Sequence, residues 1–356
     1  MRSVLVGVGQ AGGKVTAAIT EFDERMGYDA VIGSLAVNTA KADLQELPVE
    51  TLLIGQDRVG GHGVGGDNEL GAEVMESDAG QVMTALDGRI TAEAEAIWVV
   101  AGLGGGTGSG GAPVLARELC RVYDTPVYVL GVLPGRDEGS MYQVNAGRSL
   151  KTVAEAADAT LLIDNDAFRE TGESVSEGFE AINDAIARRI GLLLAAGEAV
   201  EGVGESVVDT SEVINTLRTG GLATIGYASA RAGEAADVNT ITSVTRNAVL
   251  TGACLPNATS AETALVVLAG RPENLSRKGI ERARSWVEDE TGSMQVRGGD
   301  FPLDSDRVAA LVLLGGIERS DRVQSFLDRA REAATAEEPD DDPTESLLND
   351  EIDELL

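Results

Sequence analysis

Apolar residues in the first half of the chain come in short continuous runs, separated by longer stretches with helical spacing. "SVLVGV" (3–8), "VIGSLAVN" (31–38), "TLLIG" (51–55), "AIWVVA" (96–101), "PVYVLGVLP" (126–134) and "ATLLID" (159–164) predict strands. Residues 12–27, 68–86, 113–123 and 140–157 predict helices, the first ending at Gly27 and the third starting at Pro113. Continuous apolar strands that alternate with helices predict a doubly wound parallel sheet, covered on both faces. Ligands of such sheets bind at the carboxyl ends of the strands.

The pattern then changes. Residues 174–199 predict one long helix, with Ser174 or Ser176 as its cap. After the stretch 205–230 come strands at 264–270, 294–300 and 308–316 and helices at 276–290 and 320–334. They predict a second, smaller α+β domain. The expected organisation is 1–173, a connecting helix at 174–204, a second domain at 205–334 and an acidic disordered tail at 335–356. The tail ends in Leu347, Leu348, Ile352, Leu355 and Leu356, which fit one apolar stripe on a helix. That end reads either as a frayed tail or as a segment that binds a partner.

Composition narrows the function. The chain has 356 residues, 43% apolar, and a net charge of −31. The acidity argues against nucleic-acid binding and against docking to anionic lipid. Without the last 25 residues, 48 acids still face 28 bases. Such a surface resembles those of proteins from salt-saturated cytoplasm, as in a halophilic archaeon; an acidic protein from ordinary cytoplasm is the alternative. Cys120 and Cys254 both read as small core residues, and His62 is the one histidine. No metal set follows from them. No apolar run is long enough to span a membrane, and the N-terminus is too short for a signal peptide. A cytoplasmic location is expected.

Chemistry concentrates in two glycine-rich loops. "VVAGLGGGTGSGGAPVLA" (99–116) has seven glycines in ten residues, between a predicted strand and a predicted helix. A flexible linker is one reading. A phosphate cradle fits the flanks better, because backbone N–H groups at a helix N-terminus attract anions. Thr107 and Ser109 add hydroxyl donors. "GVGQAGGKV" (7–15) follows the first strand, and Gly7, Gly9 and Gly12 fit G-x-G-x-x-G. A dinucleotide site would want an acid at the end of the second strand, which instead ends in Asn38–Thr39. A dinucleotide enzyme also has no use for a second glycine loop.

"GGGTGSG" (104–110) resembles the tubulin/FtsZ signature, and other family elements follow in order over residues 1–330. The resemblance implies a GTP site. Gly104, Gly105, Gly106, Thr107 and Gly108 would hold phosphates, as would Gly9, Gln10, Ala11, Gly12, Gly13 and Lys14 of "GQAGGK". "NTAKADL" (38–44) would contribute Asn38, and "GGHGVGGDNELG" (60–71) would bring Gly66 near the γ-phosphate. "LPGRDEG" (133–139) implies Glu138 on ribose, and "LLIDNDAF" (161–168) implies Asn165 on guanine. Tyr142 stands where FtsZ carries an arginine near the ribose loop. Phe179 and Asn183 lie four residues apart on the long helix. Phe179 would stack on guanine, and Asn183 or the next Asp would read its edge; the bland reading is a core Phe179 and a surface Asn183.

"SVVDTSEVINTL" (206–217) resembles the family's catalytic loop. The resemblance implies that Asp209 and Glu212 of one subunit orient the attacking water at the γ-phosphate held by the next. Mg²⁺, or K⁺, would sit with the phosphates. The bland reading is that Asp209 caps a helix and Glu212 is solvated. Val207 replaces the asparagine that FtsZ has two residues before the first acid. Gln10 and the 161–168 segment lean towards tubulin, and the mixture resembles CetZ, the archaeal branch associated with cell shape. The implied protein is a cytoskeletal GTPase that assembles head to tail. A weakly assembling nucleotide-binding regulator and an FtsZ-type division protein stay open.

Overall fold

The structure, a computed structural model, describes residues 1–168, 175–196, 208–232, 238–318 and 320–337. Ser174, one of the two expected caps, Val207 and the chain from 338 on lie outside these residues. Ser176, the other expected cap, falls inside the long helix, and 335–337, expected in the tail, are helical. The first-half strands are β1 (Ser3–Val8), β2 (Val31–Asn38), β3 (Thr51–Leu53), β4 (Ala96–Gly102), β5 (Val127–Leu133) and β6 (Ala159–Asp164). Between them run α1 (Gly9–Met26), α2 (Lys41–Leu44), α3 (Gln56–Val59), α4 (Asn68–Leu86), α5 (Gly106–Val122) and α6 (Ser140–Ala156). The second half contains α7 (Val175–Ala196), α8 (Thr210–Leu217), β7 (Leu222–Arg231), α9 (Val238–Leu250), β8 (Ala261–Gly270), α10 (Arg277–Thr291), β9 (Gln295–Pro302), β10 (Arg307–Ile317) and α11 (Asp321–Glu337).

All ten strands form one sheet in the order β3-β2-β1-β4-β5-β6-β7-β10-β8-β9. Neighbours from β3 to β6 are parallel, whereas β10 runs antiparallel to both β7 and β8. The parallel and mixed halves therefore join along a sheet edge. The seam is short: only Thr160↔Leu222 and Leu161↔Ala223 pair β6 with β7.

Strands β1, β5 and β6 are buried throughout, as their unbroken apolar runs require. Alternate residues feed two cores. Leu5, Trp98 and Tyr128 pack with Ile182, Ile186 and Ile190 of α7 on one face, and this core continues to Ile225 and Leu313. Val4, Val6 and Val99 pack with Leu115 and Leu119 of α5 and Leu150 of α6 on the other. The long helix α7 thus shares one core with strands of both halves.

Several elements depart from the sequence pattern: α1 starts at Gly9, α8 and β7 fill a stretch with no predicted elements, and α5 and α9 differ for clear physical reasons. α5 starts at Gly106, so the glycine run is itself helical and Pro113 lies well inside. Proline has no N–H for the Ser109 carbonyl one turn back. Ser149 of α6 supplies the missing donor, its Oγ bonding that carbonyl at 2.9 Å. α9, "VNTITSVTRNAVL", is rich in β-branched residues that favour helices little. Burial of Ile241, Val244 and Ala248 against Val266 and Leu268 of β8 outweighs that preference. One core expectation also fails: Cys254 is buried, but Cys120 lies exposed on α5.

Candidate functional site

A cleft of about 390 Å³ opens where the carboxyl ends of β1, β2, β4, β5 and β6 meet the helices that follow them. Gly9, Gln10, Ala11 and Lys14 from α1 line it, with Asn38 from the end of β2 and Gly66. Gly104, Gly105, Gly106, Thr107 and Gly108, at the start of α5, line it beside them. Glu138, Tyr142 and Asn165 close one end, beside Phe179 and Asn183 of α7. Seven separate stretches of chain converge here.

Gly12 and Gly13 do not line the cleft. A side chain at Gly12 would run into the Val100 carbonyl, and one at Gly13 would reach Leu47 at 2.9 Å. Both glycines let α1 lie close to its neighbours, so they support the cleft from behind. Gly108 and Gly110 serve packing too. A side chain there would strike the backbone of Gly102 and Asn68 respectively. The glycine run thus combines an open wall with tight helix packing. Gly9 takes φ 75, a left-handed conformation that favours glycine.

The electrostatics favour an anion at this wall. α1 and α5 both begin without a side-chain cap. Their first-turn N–H groups are left for another acceptor, and both helix dipoles point their positive ends at the same cleft. The two N-termini are adjacent, since a Cβ on Gly9 would stand 3.0 Å from Gly108 N. Thr107 and Thr39 join hydroxyls at 2.7 Å across the floor.

The other end of the cleft is polar in a different way. Glu138 Oε1 accepts from Gly135 N at 2.7 Å and from Asn165 Nδ2 at 3.0 Å. Asn165 Oδ1 is buried and, among the described residues, finds no donor. Its acceptor capacity is therefore not used by those residues. Phe179 beside it is 39% exposed, unusual for a large apolar side chain.

Two polar lining residues lie in segments noted from the sequence but were not assigned to the site there. Asp43 Oδ1 accepts from Gln10 Nε2 at 3.1 Å, and its Oδ2 accepts from Asn38 Nδ2 at 3.0 Å. It fixes two wall residues at once. His62 also faces the cleft. Nothing in residue spacing marks Asp43, because its role depends on α1 and β2 being neighbours. Among the described residues, no group of three or more His, Cys, Asp or Glu could hold a metal ion. A cation here would need phosphate oxygens as ligands, which suits Mg²⁺ with its retained waters.

Asp209 and Glu212 are absent from the cleft lining. They form a capping box on α8: Asp209 Oδ1 accepts from Glu212 N at 3.0 Å, and Glu212 Oε2 accepts from Asp209 N at 3.4 Å. The bland reading of their geometry therefore holds as far as capping goes. Their titrations are pushed apart. The Ser211 hydroxyl, 2.5 Å from Asp209 Oδ1, holds Asp209 below the usual carboxylate range, whereas burial pushes Glu212 up. Thr210 between them bonds Glu95, which also accepts from Arg2 N. Arg2 and Glu95 precede β1 and β4, so α8 begins at the amino ends of these strands. The cleft lies at their carboxyl ends, about 20 Å away along a six-residue strand.

Among the described residues, no helix is long and apolar enough to cross a membrane. Residues 2–173 match the Tubulin/FtsZ family GTPase domain, and residues 172–332 match the C-terminal domain of tubulin-like CetZ. The chain is 70% identical over 360 residues to tubulin-like protein CetZ2 of Haloferax volcanii, covering 100% of both. It superposes on a GTPγS-bound protofilament structure of that CetZ2 with a TM-score of 0.92, covering 95% of this chain and 100% of the other. A GDP-bound monomer of CetZ1 from the same organism gives 0.87 at 49% identity, over 94% of this chain and 100% of the other. A parallel-sheet domain with two glycine-walled helix N-termini, joined to a mixed-sheet half by one long helix, is thus matched in sequence from end to end: the chain belongs to the CetZ family of tubulin/FtsZ-like proteins.

Proposed function

We propose that this protein binds GTP in the cleft and hydrolyses it only when copies stack head to tail. One observation carries the reading: Asp209 and Glu212 stand at the opposite end of the parallel strands from the cleft. No chain can bring its own pair to its own γ-phosphate. A second copy stacked along the strand direction can. Repeated, such a heterologous contact builds a filament.

The triphosphate lies against the N-termini of α1 and α5, with Lys14 and Thr107 beside it. Guanine lies between Phe179 and Asn165, with Asn183 at its edge, and Glu138 and Tyr142 border the ribose. Asp209, held ionised, orients the attacking water. Glu212, whose carboxyl takes a proton more readily, accepts one as the water attacks. When bound with the phosphates, Mg²⁺ or K⁺ compensates their charge. Positioning and charge compensation account for most of phosphoryl transfer. The protein works in the cytoplasm, and family membership supports a part in cell shape. The tail after residue 337 is left for a further partner.

Turnover of GTP per molecule, measured against protein concentration in molar KCl with Mg²⁺, tests this. Salt matters because the Debye length is only about 3 Å at 1 M, which screens self-repulsion of the acidic chain. A rate per molecule that climbs above a threshold concentration is expected. A full rate at high dilution would overturn the shared site. A flat, near-zero rate with GTP bound would favour a nucleotide-binding regulator, a reading that the capping box supports by engaging both acids within their own helix.

A further inference from the structure

Arg322, in the first turn of α11, is 6% exposed and lies far along the chain from every loop of the cleft. Its Nε donates to Asp164 Oδ2 at 2.8 Å, and its Nη2 reaches Asp164 Oδ1 at 3.3 Å. The same Nη2 donates to the Pro134 carbonyl at 2.8 Å and lies 3.2 Å from Asp166 Oδ2. Phe326, one turn on, stacks under the guanidinium at 4.4 Å. Burying such a charge is costly, and complete hydrogen bonding to partners is what offsets the cost.

The partners belong to two different walls of the cleft. Pro134 begins the loop that carries Glu138, and Asp164 and Asp166 flank Asn165. Asp166 in turn accepts from Arg136 N, within the same loop as Pro134, at 3.2 Å. Glu138 and Asn165 then meet at 3.0 Å on the cleft side. One planar fork therefore sets the loop after β5 against the end of β6. A lysine, with a single point charge, could not hold both.

We propose that Arg322 is a positioning residue for the nucleoside end of the cleft, making selection of the guanine base depend on α11. The proposal rests on the GTP reading above. Arg322 touches no nucleotide; it sets the separation of Asn165 and Glu138, which do. The rival role is a plain staple, since α11 also lies tight on α6: a side chain at Gly147 would strike the Phe326 carbonyl. A staple stabilises the fold without caring which base is bound.

The test is the ratio of GTP to ATP affinity, by competition against a fluorescent GTP analogue on the full chain in molar KCl. Arg322→Met should lower the ratio roughly 10-fold, as loss of a supporting contact does at other sites. Arg322→Lys should fall between the two. An unchanged ratio in both variants overturns the proposal, including the case where both affinities drop together. If Arg322→Met does not fold, Arg322→Lys decides alone: a lowered ratio supports the proposal and a wild-type ratio overturns it. A wild-type chain with no preference for GTP would instead overturn the GTP reading, and this proposal with it.

Discussion

Thr210 Oγ1 donates to Glu95 Oε2 at 3.1 Å, and the same carboxylate oxygen accepts from Arg2 N at 2.7 Å. Three segments far apart in sequence meet at one oxygen. The contact ties the first residue of α8 to the amino ends of β1 and β4. Asp209 and Glu212 are held on that rigid base, facing away from the cleft of their own chain.

Thr210→Val keeps the shape and removes the donor. Stability should fall by about 1 kcal/mol, read as a shift in urea midpoint. Turnover per assembled molecule should fall as well, with GTP affinity unchanged. Wild-type turnover in this variant would show that the contact does not position the acids.

Asp209→Asn and Glu212→Gln retain groups able to complete the capping box and remove its charge. Each should bind GTP as the wild type does and lose turnover by about 100-fold or more. Asp209→Ala should add a loss of stability of about 1 kcal/mol from the missing cap, visible in thermal melts. Turnover near the wild-type level in the Asn and Gln variants would leave the pair with a capping role alone.

Ser149→Ala strands the buried Ser109 carbonyl that Pro113 leaves without a helix donor. The loss should be about 1–3 kcal/mol. Pro113→Ala restores an N–H at the right place, so the double variant should recover most of it. Denaturation midpoints of the four chains form a cycle. Additive losses would mean that Ser149 and Pro113 are not linked through this carbonyl.

Burial pushes the Cys254 thiol up to about 12 from an ordinary 9.0. The folded chain keeps this proton where the unfolded chain has lost it. Stability from this group is therefore full below the ordinary value and is lost as pH rises through about 12. Iodoacetamide at about pH 8 should modify exposed Cys120 and spare Cys254 until denaturant is added, as intact mass would report. Two adducts on the native chain would contradict the burial.

How much could be read from the chain alone varied with the range of the interaction. Strands β2 and β6 and helix α4 were legible to the residue, because continuous apolar runs and a helical period are local signals. α8 and α9 were not, since α8 is short and α9 is built from residues that prefer strands. The start of α5 was misread because glycine and proline usually break helices. Here close packing on α4 rewards the glycines, and Ser149 compensates the proline. Cys120 was misplaced because an amphipathic helix edge looks apolar in one dimension.

The cleft was legible for a similar reason. Its walls are loops at strand ends, and each loop is a contiguous, recognisable stretch. The sequence alone therefore determined the parallel sheet, the two glycine loops and most of the residue types that line the cleft. Only the tertiary structure decided that Gly12 and Gly13 sit behind the wall, that Asp43 joins Gln10 to Asn38, and that Arg322 reaches back to Asp164. It also decided that Asp209 and Glu212 stand a strand's length from the cleft. Such relationships join residues tens to hundreds of positions apart. They depend on how elements stack, and no local pattern of apolar and polar residues encodes a distance between two ends of a sheet.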